Sequence, residues 1–150
     1  MKSLHEIILE KLKIRKSSYK YYPETKEELQ DLINKLVNER GNEGDFNDID
    51  TSEITDMSEL FRDMDEFNGN ISNWNVSNVI DMRSMFYNCE SFNQDISNWD
   101  VSKVVDMSWM FYWCKTFNQD ISNWNVSNVK NSRKIFSNCP IEEKYKPKFR

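Results

Sequence analysis

The pattern of apolar and polar positions repeats along the chain with a period of 25 residues. Residues 71–95 and 96–120 agree at 17 of 25 positions, whereas the unit from Phe46 and the unit from Ile121 are degenerate. Atypical end units around two good central ones are typical of a stacked repeat array. The recurring positions are Asp56, Asp81 and Asp106, each followed by Met; Trp74, Trp99 and Trp124; and Phe61, Phe86, Phe111 and Phe136. The period predicts four tandem units.

Two hydrophobic periodicities follow one another inside each unit. The first, in the third unit, is carried by Ile96, Trp99, Val101 and Val104. Since Trp99 and Val101 lie two residues apart, a short strand would turn both inward. The second falls at i, i+3, i+4 and i+7 and predicts a helix capped by Asp106 or, slightly earlier, by Ser102. Its members are Met107, Met110, Phe111 and Cys114. Each unit is therefore predicted to be strand, turn, helix, turn, with the helices opposite the stacked strands.

The motif resembles the BspA-like bacterial surface-protein type of leucine-rich repeat. The resemblance is carried by the sequence FNQDISNWDVS over residues 92–102 and by the Asp-Met-Ser-x-Met-Phe stretch over 106–111. It implies an α/β fold, a right-handed leucine-rich-repeat-like solenoid of four 25-residue strand-helix repeats, and a role in adhesion or protein recognition. Many members of that family are secreted or lipid-anchored.

The segment before the repeats is predicted to be helical. Thr25 and Glu28 form a capping box, and an apolar face follows that ends before Gly41. The face consists of Leu29, Leu32, Ile33, Leu36 and Val37, and a weaker helix is suggested by Leu4, Ile7, Ile8 and Leu12. We expect residues 1–44 to be a helical extension and cap, 45–140 to be the four-repeat solenoid, and 141–150 to be a basic tail.

Charge is distributed unevenly along the chain, and this distribution disfavours some classes of function. The net charge of −5 is the sum of +1 in residues 1–44, −11 in residues 45–120 and +5 in residues 121–150. A long acidic surface speaks against general nucleic-acid binding, which needs clustered Lys and Arg. No apolar run approaches a membrane span. Glu6 and Glu10 interrupt the stretch where a signal peptide would be apolar, so we expect a cytoplasmic protein.

Candidate chemistry is scarce. His5 is the single histidine, no phosphate-binding loop is present, and no nucleophile-histidine-acid set can be assembled. The three cysteines share one inward slot 25 residues apart, which favours reduced core thiols over a disulfide or a metal site. A calcium site at Asn70, Asp95 and Asp120 is the weaker alternative to simple turn stacking. The sequence thus indicates no catalytic residue, no metal and no cofactor, and we expect a protein that is not an enzyme.

The candidate binding residues are of two kinds. The first breaks the repeat: the predicted helical face of the third unit leaves three aromatic side chains pointing to solvent, with a fourth alongside in the second unit. These are Trp109, Tyr112, Trp113 and Tyr87. The second is the predicted concave surface, represented by Asp50, Asn75, Asp100 and Asn125. The alternative for the aromatic set is that the N-terminal segment or residues 144–150 fold back over it.

These features favour a non-enzymatic protein-protein interaction module that presents a rigid repeat surface to a partner protein. Two alternatives stay open: a small acidic inhibitor that blocks a nucleic-acid-processing enzyme, and a cell-surface adhesin if the chain is exported. Self-association is a further alternative.

Overall fold

The computed structural model describes residues 1–16 and 19–150, and the side chains of residues 12–18, including Leu12 of the predicted first apolar face, lie outside that description. Helix α1 spans Leu4–Lys16, helix α2 spans Lys26–Arg40, and one 3₁₀ turn covers Glu143–Tyr145. Between α2 and the 3₁₀ turn the backbone consists of turns and isolated parallel bridges, without a further helix or an extended strand. No helix in the described ranges is long and apolar enough to cross a membrane.

The predicted α/β class is therefore wrong. Residues 45–140 do not form a right-handed leucine-rich-repeat-like solenoid of four strand-helix repeats, because the described backbone there has neither the strands nor the helices of such a repeat. What the 25-residue period does produce is a stack of turns. Bridges join Asp56 to Asp81, Asp81 to Asp106, and Asp106 to Asn131. We name the stacked units layer 1 (46–70), layer 2 (71–95), layer 3 (96–120) and layer 4 (121–140).

The predicted strand is absent because Asp and Asn side chains bend the backbone. Each complete layer carries three Asp/Asn-apolar-Ser or closely related triplets in which the first side chain accepts the backbone N–H two residues later. In layer 3 the carboxylate of Asp100 accepts the N–H of Ser102 at 3.0 Å and its hydroxyl at 2.6 Å. Such local bonds replace a strand ladder and favour turns. Val101, between the two polar residues, is left inside the layer.

The predicted helix is absent because two of its positions have positive φ. Trp109 and Trp113 adopt φ values of 55° and 59°, outside the helical region. The N–H of Met110 instead closes a turn onto the carbonyl of Met107 at 3.2 Å, and that of Cys114 closes the next onto Phe111 at 3.2 Å. Consecutive turns of this kind bury residues three apart. They therefore reproduce the spacing of a helical face without a helix.

Columns of equivalent side chains fill the interior. Phe86 stacks between Phe61 and Phe111 at centroid distances of 5.4 and 5.5 Å, and Trp99 stacks on Trp124 at 6.4 Å. The buried tryptophans donate their Nε1–H to backbone carbonyls of the preceding layer, as Trp124 does to Ile96 at 3.1 Å. Asparagines in equivalent turns also bond from layer to layer, since Asn93 Oδ1 accepts the N–H of Asn118 at 3.0 Å. Aromatic stacking and satisfied turn groups thus hold the layers together.

The two ends of the stack are covered differently. As the capping box predicts, Thr25 caps α2 by accepting the N–H of Glu28, and Gly41 ends the helix at φ 81°. α2 buries Leu29, Ile33 and Leu36 in the same core as the layers. At the other end the C-terminal tail packs Ile141 and Pro147 inward. In α1 the apolar side chains that the structure describes, Leu4, Ile7, Ile8 and Leu9, are exposed.

Candidate protein-binding surface

The aromatic residues singled out in the sequence occupy unusual backbone positions. Each layer has two left-handed positions four residues apart, and three of the layers fill them with small, polar or charged residues. These are Glu59 and Asp63, Ser84 and Asn88, and Lys134 and Asn138. Layer 3 fills the same two positions with Trp109 and Trp113. A bulky residue with positive φ is an outlier, and the strained conformation costs free energy.

The four aromatic side chains come together on one surface. The rings of Tyr87 and Tyr112 stack at 5.0 Å with an interplanar angle of 16°, and Tyr112 lies 6.4 Å from Trp113. Tyr87, Trp109 and Tyr112 are half-buried, while Trp113 is exposed to 40%. The structure thus joins Tyr87, Trp109, Tyr112 and Trp113 across layers 2 and 3. We call this set the aromatic surface.

Basic side chains surround the aromatic surface. The Arg62 guanidinium lies 4.6 Å from the centroid of the Tyr87 ring. Arg133 lies over Trp109 at 5.8 Å, and Lys115 over Trp113 at 5.2 Å. Cations at these distances are attracted by the ring faces. The rings are therefore held in place on a rim of positive charge.

A groove of about 420 Å³ opens beside these rings. Its floor and walls are formed by Glu59, Arg62, Arg83, Ser84, Tyr87, Trp109 and Tyr112. Arg83 and Arg62 both approach Glu59, at 3.8 and 3.7 Å, so the acidic wall of the groove is paired. The result is a concave surface with aromatic walls, bordered by basic side chains that are largely paired with carboxylates: Arg62 also contacts Asp63 at 3.5 Å, and Lys115 contacts Glu90 at 2.8 Å.

Neither terminal segment lines this groove. The tail contacts a different part of the stack, since Tyr145 accepts the N–H of Ile121 and Lys146 lies over Phe136. α2 begins beside layer 1, where Lys26 donates to the Ser58 hydroxyl. In the described part of the chain, therefore, neither terminal segment folds back over the groove beside the aromatic rings.

The second candidate set, the predicted concave surface, lies on another turn of the layers, where its side chains bond to the neighbouring backbone. Asp50, Asn75, Asp100 and Asn125 each accept the backbone N–H of the serine two residues later, at 3.0–3.1 Å. The hydroxyl and then the N–H of Ser102 lower the pKa of Asp100, and Ser97 and Ser122 do the same for Asp95 and Asp120. These side chains shape turns, and partner binding by this column stays a prediction.

The cysteines are free thiols in the described structure. Cys89 and Cys114 are buried and donate to the carbonyls of Phe61 and Phe86, both at 2.9 Å. Burial raises the pKa of both thiols, and it raises the pKa of the half-buried Cys139 to about 11. Among the described residues no group of three or more His, Cys, Asp or Glu side chains is arranged to hold a metal ion.

Sequence reasoning missed the basic rim. Arg62, Arg83, Lys115 and Arg133 appear there as isolated charges. The signal was the period itself, because side chains 24 or 25 residues apart touch across layers: Arg133 lies 24 residues after Trp109, and Lys115 pairs with Glu90 at 2.8 Å. Applying the repeat to charged residues as well as apolar ones would have placed these bases beside the rings.

Comparison with known proteins gives one family. The model of a family described as "Mycoplasma protein of unknown function, DUF285" matches residues 29–147. That range includes residues 29–44 of the N-terminal segment, all four layers and most of the tail. No curated protein and no solved structure matches the chain.

Proposed function

The chain belongs to this Mycoplasma DUF285 family, and we propose that it is a non-enzymatic protein-binding module whose aromatic surface contacts a partner protein. The family match is consistent with the resemblance to BspA-like surface-repeat proteins, which implies protein recognition. The proposal adds a location for that role on this chain, in layers 2 and 3.

The observation that carries the proposal is the pair of tryptophans in left-handed positions. Asn88 and Asn138 occupy the position of Trp113 in the neighbouring layers, and Asn is among the few residues that tolerate this conformation. The interior does not require the ring, since Trp113 is 40% exposed. A large side chain kept in a strained, exposed place is more readily explained by binding than by stability.

The surroundings indicate how a partner would be held. Trp, Tyr and Arg are the residues most enriched among those that dominate interface energetics. Here one groove and its edge are bordered by the stacked rings of Tyr87 and Tyr112, by both tryptophans and by the guanidinium of Arg62. An apolar or aromatic side chain of the partner entering the groove would be desolvated against these rings. Arg133, which lies over Trp109 and has no carboxylate partner among the described residues, would favour a neighbouring acidic residue of the partner.

The test replaces both tryptophans by the layer 2 residues of the same slots. The Trp109→Ser, Trp113→Asn double variant removes the rings yet keeps side chains that Ser84 and Asn88 show to fit this backbone. We expect its melting temperature to stay within a few degrees of the parent, while proteins that co-purify quantitatively with the parent are lost.

The matched control is Ile80→Ser, which removes an apolar side chain that is 51% exposed and lies outside the groove. It should retain the same co-purifying proteins. A double variant that keeps them, or one that melts many degrees lower, would contradict the proposal.

A further inference from the structure

A row of backbone donors at the end of layer 4 has no acceptor. Between successive layers, every second backbone N–H donates to a carbonyl of the next layer. From layer 3 to layer 4 the bonds run from Met107 to Asn131, Trp109 to Arg133, Phe111 to Ile135 and Trp113 to Ser137, at 2.9–3.0 Å. The equivalent groups of layer 4 are the N–H groups of Ser132, Lys134, Phe136 and Asn138. None of these four has a hydrogen-bond acceptor among the described residues. We call these four groups the donor row.

The tail covers the end of the stack, and its Lys146 lies over the Phe136 ring at 5.7 Å, but among the described residues no tail carbonyl accepts an N–H of the donor row. Its Tyr145 carbonyl accepts the N–H of Ile121 at 3.0 Å, and the N–H of Glu142 donates to Asn118 Oδ1 at 2.9 Å. The same bonds join earlier layers, as from Phe46 to the Asn70 carbonyl and from Asn93 to Asn68 Oδ1. The tail therefore takes the place of a fifth layer on that side alone.

Unpaired basic side chains flank the donor row. Arg133 and Lys134 are exposed, and no carboxylate among the described residues lies within ion-pair distance of either one. Side chains in the same slot of adjacent layers do touch, as Asn88 and Asp63 do at 3.1 Å. A segment in the place of a fifth layer would therefore set one of its side chains beside Lys134. A carboxylate is the complementary group there.

We propose that the donor row binds an acidic segment of a partner protein, which adds to layer 4 as a fifth layer would. Its carbonyls accept the four N–H groups, as in the addition of a strand to an open sheet edge, and its carboxylates meet Lys134 and Arg133. The inference rests on the proposed role in protein binding, but it uses the four backbone N–H groups and Lys134, which lie outside the aromatic surface, and it shares with that surface only Arg133, which lies over Trp109.

The probe is a synthetic peptide with the sequence of residues 55–66, TDMSELFRDMDE, which carries a net charge of −4. In layers 2, 3 and 4 the carbonyls equivalent to those of Asp56, Ser58, Leu60 and Arg62 accept N–H groups of the preceding layer. In layer 1 these four carbonyls have no donor among the described residues. Amide hydrogen exchange of the full-length protein is measured by NMR with and without the peptide.

We expect the amides of residues 132, 134, 136 and 138 to exchange freely alone and to slow by about an order of magnitude or more when the peptide is bound. Amides of Met107, Trp109 and Phe111, bonded within the stack, should be slow in both states. The D-enantiomer of the peptide, of identical composition and charge, should protect none of the four.

Two matched charge reversals separate specific from general attraction. Lys134→Glu should weaken peptide binding several-fold while the protein still folds, because Glu59 occupies the same left-handed slot in layer 1. Lys130→Glu makes the same charge change in the same layer outside residues 132–138 and should leave binding unchanged. Equal effects of the two reversals, or binding of the D-peptide, would overturn the proposal.

Two further results would also refute it. One is the absence of protection at saturating peptide. The other is protection that appears without peptide and grows with protein concentration, which would assign the donor row to contacts between copies. The Trp109→Ser, Trp113→Asn variant should retain the peptide effect, so failure of this inference is distinguishable from failure of the aromatic surface.

Discussion

Replacing Trp113 by Asn is the substitution that best separates a binding residue from a core residue. The left-handed conformation at φ 59° costs an L-residue about 1–2 kcal/mol, and Asn is one of the residues that tolerate it. Replacing Trp by Asn therefore relieves backbone strain, but it also removes the contacts of the ring. Full burial of a large apolar side chain contributes about 1.5–3 kcal/mol, and Trp113 is 40% exposed, so the loss is about 1–2 kcal/mol. The contact with Lys115 adds about 0.5 kcal/mol.

These effects nearly cancel, so Trp113→Asn should change the free energy of unfolding by less than about 1 kcal/mol. The comparison is Phe111→Ala in the same layer, whose fully buried ring stacks on Phe86 and Phe117 and whose loss should cost about 3–5 kcal/mol. Urea unfolding of both variants, followed by far-ultraviolet circular dichroism, gives the two values. A loss at Trp113 that approaches the loss at Phe111 would refute the reasoning, because the ring would then be part of the core.

Two further predictions concern titratable groups. Serine hydroxyl and N–H groups lower the pKa of Asp95, Asp100 and Asp120, so their stabilisation is present above the ordinary Asp pKa of about 3.9 and is lost as pH falls through the lower folded values. The D95N/D100N/D120N variant carries the side chain that Asn70, Asn75 and Asn125 already supply at equivalent positions of the stack. On acidification its urea midpoint should therefore fall less than that of the parent protein; an equal fall in both proteins would contradict this. Burial raises the pKa of all three thiols, so a thiol reagent at pH 8 should modify Cys139 slowly and Cys89 and Cys114 only on unfolding. Fast modification of the native protein, an internal disulfide or stoichiometric zinc would count against it.

Much of what lies inside the molecule could be predicted from the sequence. Trp99, Val101, Met107 and Phe111 are buried because their 25-residue period and local spacing reflect the same interior in each layer. Helix α2 could be predicted because Thr25 and Gly41 carry the physical signals of a helix start and end. These signals are local and strong.

The backbone of the layers could not be predicted from hydrophobic spacing. A β-turn and a helix both place apolar residues three apart, and a triplet such as Asp100-Val101-Ser102 gives the alternation of a strand without being one. The polar positions distinguish the two, because the recurring Asp/Asn-apolar-Ser triplets predict turns closed by side-chain hydrogen bonds. The aromatic surface was predictable as a departure from the repeat, whereas the left-handed conformation of Trp109 was not, since tryptophan rarely adopts it.

The central claim, that the aromatic surface contacts a partner protein, is tested most directly by site-specific photo-crosslinking in the native cell. A photoreactive phenylalanine analogue is placed at Trp113 in one variant and at Ile80 in another, both exposed apolar positions of the same stack. We expect a discrete crosslinked partner from position 113 that is absent from position 80 and is lost in competition with unlabelled parent protein. The same crosslinks from both positions, or none from position 113, would contradict it.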